Sequence, residues 1–158
     1  MKKNSNKWIV LIQFVLGLEW LHSGWSKWSS PAFITNINKI LQGFAAQTSC
    51  KVYANFLNSF AIPHANFFGN VVRVSEVSIG VALVLAGILL LWQKRLGMVA
   101  IWVLAIALFG AALMNLNFYL ANGSSSPSAS GINFVMGLIA FILAIYYLTN
   151  RRELSSAN

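Results

Sequence analysis

Four long apolar runs constrain this chain more than any other feature. They cover about Trp8 to Gly24, Phe67 to Trp92, Met98 to Leu120 and Gly131 to Leu148. A bilayer core about 30 Å thick needs roughly 20 mostly apolar helical residues, so each run is close to a membrane crossing. The composition agrees. Of 158 residues, 58% are hydrophobic and only 9% are charged, against about a quarter charged in an ordinary soluble domain. Such a chain cannot cover a water-facing surface. It is too apolar for disorder, and with Cys50 as its single cysteine it is no disulfide scaffold. The net charge of +8 comes from short basic clusters between the apolar runs, the pattern of an integral membrane protein and not of a nucleic-acid binder.

The predicted fold is therefore all-α, a single membrane domain forming an integral four-helix bundle. Gln93-Lys94-Arg95 separates the second run from the third, and Asn122-Gly123-Ser124-Ser125-Ser126-Pro127 separates the third from the fourth. Glu19, the bulky Trp20 and Trp25, and the lack of a small-residue cleavage site argue that the first run is a retained helix and not a signal peptide. Lys2, Lys3 and Lys7, then Lys94 and Arg95, then Arg151 and Arg152 fall on one side of an even number of spans. The positive-inside rule makes that side cytoplasmic, giving a multi-pass cell-membrane protein with both termini inside. Between the first two spans, residues 30–62 hold two stretches with helical apolar spacing. Phe33, Ile37, Ile40, Leu41 and Phe44 form one; Val52, Tyr53, Phe56, Leu57 and Phe60 form the other. Ser30-Pro31 is a helix start signal, and Pro63-His64 marks the turn into the second span. Two short amphipathic helices in the outer loop, roofing the bundle, are the expected outcome.

The chain has three acidic residues, and two of them, Glu19 and Glu76, lie inside predicted spans. A charge near mid-membrane costs about 2.5–3.5 kcal/mol on insertion scales, so each needs a partner or a task. At 1.5 Å per residue both sit roughly 13–14 Å below the outer face. His22 follows Glu19 by one turn, and Arg73 precedes Glu76 by one turn. Lys27 closes the first span; Asn115 and Asn117 lie in the outer third of the third. The inner halves of the spans read as almost purely apolar. The expectation is a polar pocket in the outer half of the bilayer, with Glu19, His22, Arg73 and Glu76 as the catalytic core and Trp20, Lys27, Asn115 and Asn117 binding a quinone at its rim. Carboxyls tuned by neighbouring cations can exchange the protons that quinone chemistry requires, and His, Arg, Asn and Trp supply donors for its carbonyls. The competing reading is a buried ionic network that only fixes helix register. Gly17, Gly24, Gly69 and Gly80 near the same depth are expected to let the helices approach closely.

The same residues carry a resemblance. The first span reads Gly17-Leu-Glu19-Trp20-Leu-His22-Ser-Gly24-Trp-Ser-Lys27, the second Arg73-Val-Ser75-Glu76-Val-Ser-Ile-Gly80, and the third ends Met114-Asn115-Leu-Asn117-Phe118. Over about Trp8 to Leu148 the chain resembles the DoxX/DoxD family of small four-helix membrane proteins. It departs from many members at Ser75, where they have glycine. The resemblance implies a membrane subunit of a quinone-linked redox system. Its DoxD branch is associated with thiosulfate:quinone oxidoreductase, so a thiosulfate-oxidising oxidoreductase with a partner subunit or an extracytoplasmic redox protein is implied. Whether the chain is itself the enzyme stays open.

Other features carry less. Cys50 beside Lys51 has no resolving partner. His22 and His64, the two histidines, have no metal-ligand spacing, so no metal or haem site is predicted. No flavin or dinucleotide fingerprint is present. Most of the tryptophans fall near span ends, as membrane-belt residues do. The rival from another class is a non-catalytic membrane anchor or scaffold for an extracytoplasmic redox enzyme. A solute or proton pathway is disfavoured, because the inner halves lack the polar residues to complete one.

Overall fold

The computed structural model describes residues 2–92, 95–122 and 126–155, with side chains from residue 7 onward. The side chains of Lys2 and Lys3, together with Gln93, Lys94 and the centre of the serine-rich turn at 123–125, lie outside the described part. The described residues are helical with short connections. The order is α1 (Lys2–Ser29), α2 (Pro31–Gln47), α3 (Lys51–Phe56) running into a π-helical turn (Leu57–Ala61), α4 (Ala65–Leu91), α5 (Met98–Asn122), α6 (Pro127–Thr149) and α7 (Arg151–Ser155).

Three helices, α4, α5 and α6, are long and apolar enough to cross a membrane, and they mark the chain as a membrane protein. At 27, 25 and 23 residues they measure roughly 35–40 Å at 1.5 Å per residue. Most of their outward side chains are apolar, as contact with lipid tails demands. The 28-residue α1 is diluted by Gln13, Glu19, His22 and Lys27 and is not among them. It extends well past the expected 8–24 at both ends.

Glycines set how the helices meet. α1 and α4 run antiparallel, and a Cβ added at Gly80 would stand 2.6 Å from the Leu21 backbone nitrogen. One at Gly24 would stand 2.8 Å from the Val77 nitrogen. Backbone touches backbone at these points, which only glycine permits. Gly17 serves the same seam, lying against Leu83 and Val84, whereas Gly69 takes Ile34 and Ile37 of α2 instead. α5 and α6 form the second antiparallel pair, with Gly137 against Asn115 and Phe109 against Phe141. The core between the two pairs is built from Leu16, Trp20, Leu83, Leu104, Leu108 and Tyr147.

Local signals act where the sequence places them. Ser30 is extended ahead of Pro31, and Ser126 is likewise non-helical ahead of Pro127; each proline stands at the first helical position, where its missing N–H costs nothing. The turn at Ala61–His64 is closed by the His64 N–H donating to the Ala61 carbonyl. α2 and the α3 segment lie across the bundle end made by the C-terminus of α1, the start of α4 and the C-terminus of α5. They bury Ile37, Leu41, Tyr53, Leu57 and Ala61 in a second apolar cluster with Ala65 and Ala121.

Candidate functional site

The costliest residue of the chain is Glu76, whose side chain is 0% exposed on α4. Its partner comes from α1. Lys27 Nζ donates to both carboxylate oxygens, at 2.9 and 2.8 Å, and to Ser23 Oγ at 2.8 Å. Ser23 Oγ in turn donates to Glu76 Oε2 at 3.3 Å. Gly24 sits between these two donors and faces Glu76 Cβ across the seam. The close helix approach is therefore what carries an α1 ammonium within reach of an α4 carboxylate. An ion pair this enclosed survives only with such full bonding, since removing either charge from water is expensive.

Lys27 is also a wall of an apolar hollow at one end of the bundle. This cavity, of about 320 Å³, lies under α2 and the α3 segment. Ile37, Leu41, Phe44, Leu57, Phe68 and Phe118 make it apolar, and Lys27, Tyr53 and Asn117 give it a polar side. The Lys27 ammonium stands 6.0 Å from the centre of the Phe118 ring. The Tyr53 hydroxyl donates to Asn117 Oδ1, linking the roof to α5. Burial pushes the Tyr53 hydroxyl up to about 12, so it stays a neutral donor across the physiological range.

The expected single cluster of Glu19, His22, Arg73 and Glu76 is not what forms. Glu76 is bound by Lys27, not by Arg73. The Arg73 guanidinium instead lies over the Trp28 ring at 4.6 Å, and its Nε is buried without a hydrogen-bond partner. Glu19 and His22 are exposed on α1, and neither is hydrogen-bonded to the enclosed Glu76. Glu19 lines a lateral groove between α1 and α6, alongside Leu16, Met136 and Ile139. The Glu19 and Glu76 carboxyls therefore do not face a common hollow. The reason is helix phase: Gly17, Trp20, Gly24 and Lys27 occupy the inward seam, and Glu19 stands about 100° round the helix from Trp20.

The remaining rim residues divide as well. Asn117 lines the cavity as expected. Asn115 is 1% exposed at the α5–α6 contact, donating to the Ala111 carbonyl at 3.1 Å. Trp20 is 2% exposed in the central core, with its Nε1 unpartnered, and is not a cavity residue. Trp8, Trp25, Trp28, Trp92 and Trp102 are exposed, in keeping with belt positions. His64 is exposed, its Nδ1 2.9 Å from the Phe60 carbonyl. Cys50 precedes α3 and packs against the roof cluster.

A second polar group was missed from sequence. Gln13 is fully enclosed; its Nε2 donates to the Leu83 carbonyl at 2.8 Å, and the Tyr147 hydroxyl donates to its Oε1. It ties α1 to both α4 and α6 in the half of the bundle expected to be almost purely apolar. Its signal was a lone amide inside an apolar run, paired with a tyrosine in another. Comparison of the chain with protein-family models, curated proteins and solved structures finds no match.

Proposed function

We propose that the protein is a membrane subunit of a quinone-linked redox system, as its resemblance to the DoxX/DoxD family implies, and that the quinone is held under the α2–α3 roof. In this reading α1 crosses the bilayer beside α4 as the fourth span. The termini are cytoplasmic, and the roof lies at the outer face of the cell membrane.

The observation that carries the proposal is the union of a roughly 320 Å³ apolar hollow with one ammonium at its wall. Pockets for small apolar ligands have this make-up: aromatic and aliphatic walls with a few polar groups that orient. Lys27 Nζ turns the N–H now given to Ser23 toward a ring carbonyl while keeping Glu76, and Asn117 with Tyr53 fixes the other polar edge. Glu76 holds Lys27 in place, and the Lys27 ammonium is the group from which a reduced ring oxygen can take a proton. Aromatic rings of Phe44, Phe68 and Phe118 supply faces for stacking. Thiosulfate as the electron donor rests on the family resemblance alone.

The test is quinone binding to the purified full-length protein in lipid nanodiscs. A short-chain benzoquinone or naphthoquinone is expected to bind saturably, and Lys27→Met to weaken it about tenfold, the worth of one charge-assisted hydrogen bond. Equal binding by wild type and K27M would refute the site. The anchor reading has one supporting observation: the roof presents exposed Lys39 and Lys51 with Asn36, Asn38 and Gln42, a polar basic surface for an acidic partner.

A further inference from the structure

One ion pair sets the charge of the hollow under the roof. Among the residues that line it, Lys27 is the one charged side chain. That charge is not free. Both Glu76 oxygens accept from Nζ, at 2.9 and 2.8 Å, and the Glu76 side chain is 0% exposed and forms no part of the wall. A ligand in the hollow therefore meets the ammonium from the side away from the carboxylate. An anion touching Nζ at about 3 Å would stand about 6 Å from the carboxylate, so about half of the attraction is cancelled. The donors are as restrictive. An ammonium has three; two go to Glu76 and the third to Ser23 Oγ. The Ser23 bond is the one a ligand can replace without stranding a charge. One donor suits one neutral carbonyl, whereas an oxyanion needs several to replace its hydration. Tyr53 gives its proton to Asn117 Oδ1, and Asn117 adds neutral amide donors but no charge. The rest of the wall is hydrocarbon and aromatic ring, where an unbalanced charge is costly.

We infer that the hollow selects an uncharged apolar ligand bearing a hydrogen-bond acceptor and rejects anions of the same shape, and that Glu76 sets this selectivity from behind Lys27. The inference rests on the quinone reading and narrows it. A neutral ring belongs in the hollow; a sulfur oxyanion does not, so the thiosulfate that the family resemblance implies is not held there. Glu76 touches no ligand and acts through Lys27, as a specificity-determining residue. Glutamine in its place keeps the shape and still accepts a hydrogen bond from Nζ. It removes the balancing charge, however, and leaves an ammonium at the wall whose full attraction falls on whatever enters. A bond to an anion is then charge-assisted on both sides. Specificity is a difference of affinities, and here that difference follows one carboxylate.

The experiment compares two rings of nearly equal size: methoxynaphthoquinone, which is neutral, and hydroxynaphthoquinone, which is an anion at neutral pH. Their binding to the full-length protein in zwitterionic lipid nanodiscs is measured against empty discs, for wild type, Glu76→Gln and Glu76→Asp. Wild type is expected to bind the neutral ring at least about tenfold more tightly. E76Q is expected to move the ratio of the two affinities at least about tenfold toward the anion, a comparison in which partition into lipid cancels. E76D keeps the charge and is expected to keep the wild-type preference. Thiosulfate in large excess is expected to leave the bound neutral ring in place. Equal binding of the two rings by wild type, an unchanged ratio in E76Q, an E76D that behaves as E76Q, or displacement by thiosulfate would each overturn the inference, while saturable binding of the neutral ring keeps the quinone reading standing. Binding of neither ring overturns both. If E76Q does not fold, as circular dichroism in the same discs would show, the wild-type ratio and the thiosulfate competition still decide.

Discussion

Replacing Lys27 by methionine gives the sharpest energetic test of the site, because the two members of the ion pair are unequally enclosed. The Glu76 side chain is 0% exposed, whereas that of Lys27 keeps 24%. K27M leaves a sealed carboxylate with Ser23 as its remaining donor, and stranding one member of a buried pair costs about 3–5 kcal/mol. Glu76→Gln leaves the ammonium instead, and Lys27 can swing its partly exposed head outward while still bonded to Ser23. That loss is about 1–2 kcal/mol, the scale of a hydrogen bond exchanged for a weaker one. In the double variant neither charge is stranded. Its cost is therefore expected to fall below that of K27M alone, with a coupling of about 2 kcal/mol or more between the sites. The assay is reversible denaturation of the four proteins in mixed micelles, followed by far-ultraviolet circular dichroism. Additive losses, or E76Q proving more damaging than K27M, would refute the reasoning.

Four further outcomes follow from the geometry. Gly80→Ala is expected to destabilise by about 1–3 kcal/mol through overpacking, since its Cβ would stand 2.6 Å from the Leu21 nitrogen. Gly43→Ala in α2, with nothing within 4 Å of the added Cβ, is expected to be neutral or stabilising by up to about 1 kcal/mol, so similar thermal shifts for the two would contradict the close-approach account. Tyr147→Phe leaves Gln13 Oε1 without its donor and is expected to cost about 1–2 kcal/mol in the same unfolding assay; no change would remove Gln13 as a tie between α1 and α6. The raised Tyr53 group makes stability fall as pH rises from about 10, where the unfolded phenol ionises, to about 12, where the folded one does. Below pH 10 both states hold the proton and this contribution is constant. Tyr53→Phe is expected to flatten that alkaline decline, and an unchanged slope would show that the phenol is not enclosed.

Much of this architecture was legible from residue order. The α4, α5 and α6 spans follow from uninterrupted apolar length, and their starts are marked by Pro63-His64 and Ser126-Pro127. The short helices after Ser30-Pro31 follow from the spacing of Ile37, Leu41, Tyr53 and Leu57. That Glu76 needs a partner was legible too, but its identity was not. Arg73 is nearest along the same helix and on the same face, yet its guanidinium lies over the Trp28 ring of α1 instead. Lys27 becomes the partner only through the antiparallel register of α1 on α4, which the mutual fit of Gly17, Gly24 and Gly80 sets across 49 residues of sequence separation. Glu19 was misplaced for a related reason. Depth along a helix can be counted, but which way a residue faces depends on which seam packs inward. The glycine and tryptophan positions held that information. Gln13 was overlooked because an uncharged amide gives a weaker signal than a carboxylate, although burying it also demands partners.

The central claim is that the hollow under α2 and α3 is a quinone site with Lys27 at its polar wall. It is tested most directly by photoaffinity labelling of the full-length protein in its membrane with an azido-quinone, followed by peptide mass spectrometry. The account predicts modification at the cavity wall, on Phe44, Tyr53, Phe68 or Phe118, suppressed by excess unlabelled quinone and reduced in K27M. Competable labelling confined to the α1–α6 groove around Glu19, or no competable labelling at all, would contradict it.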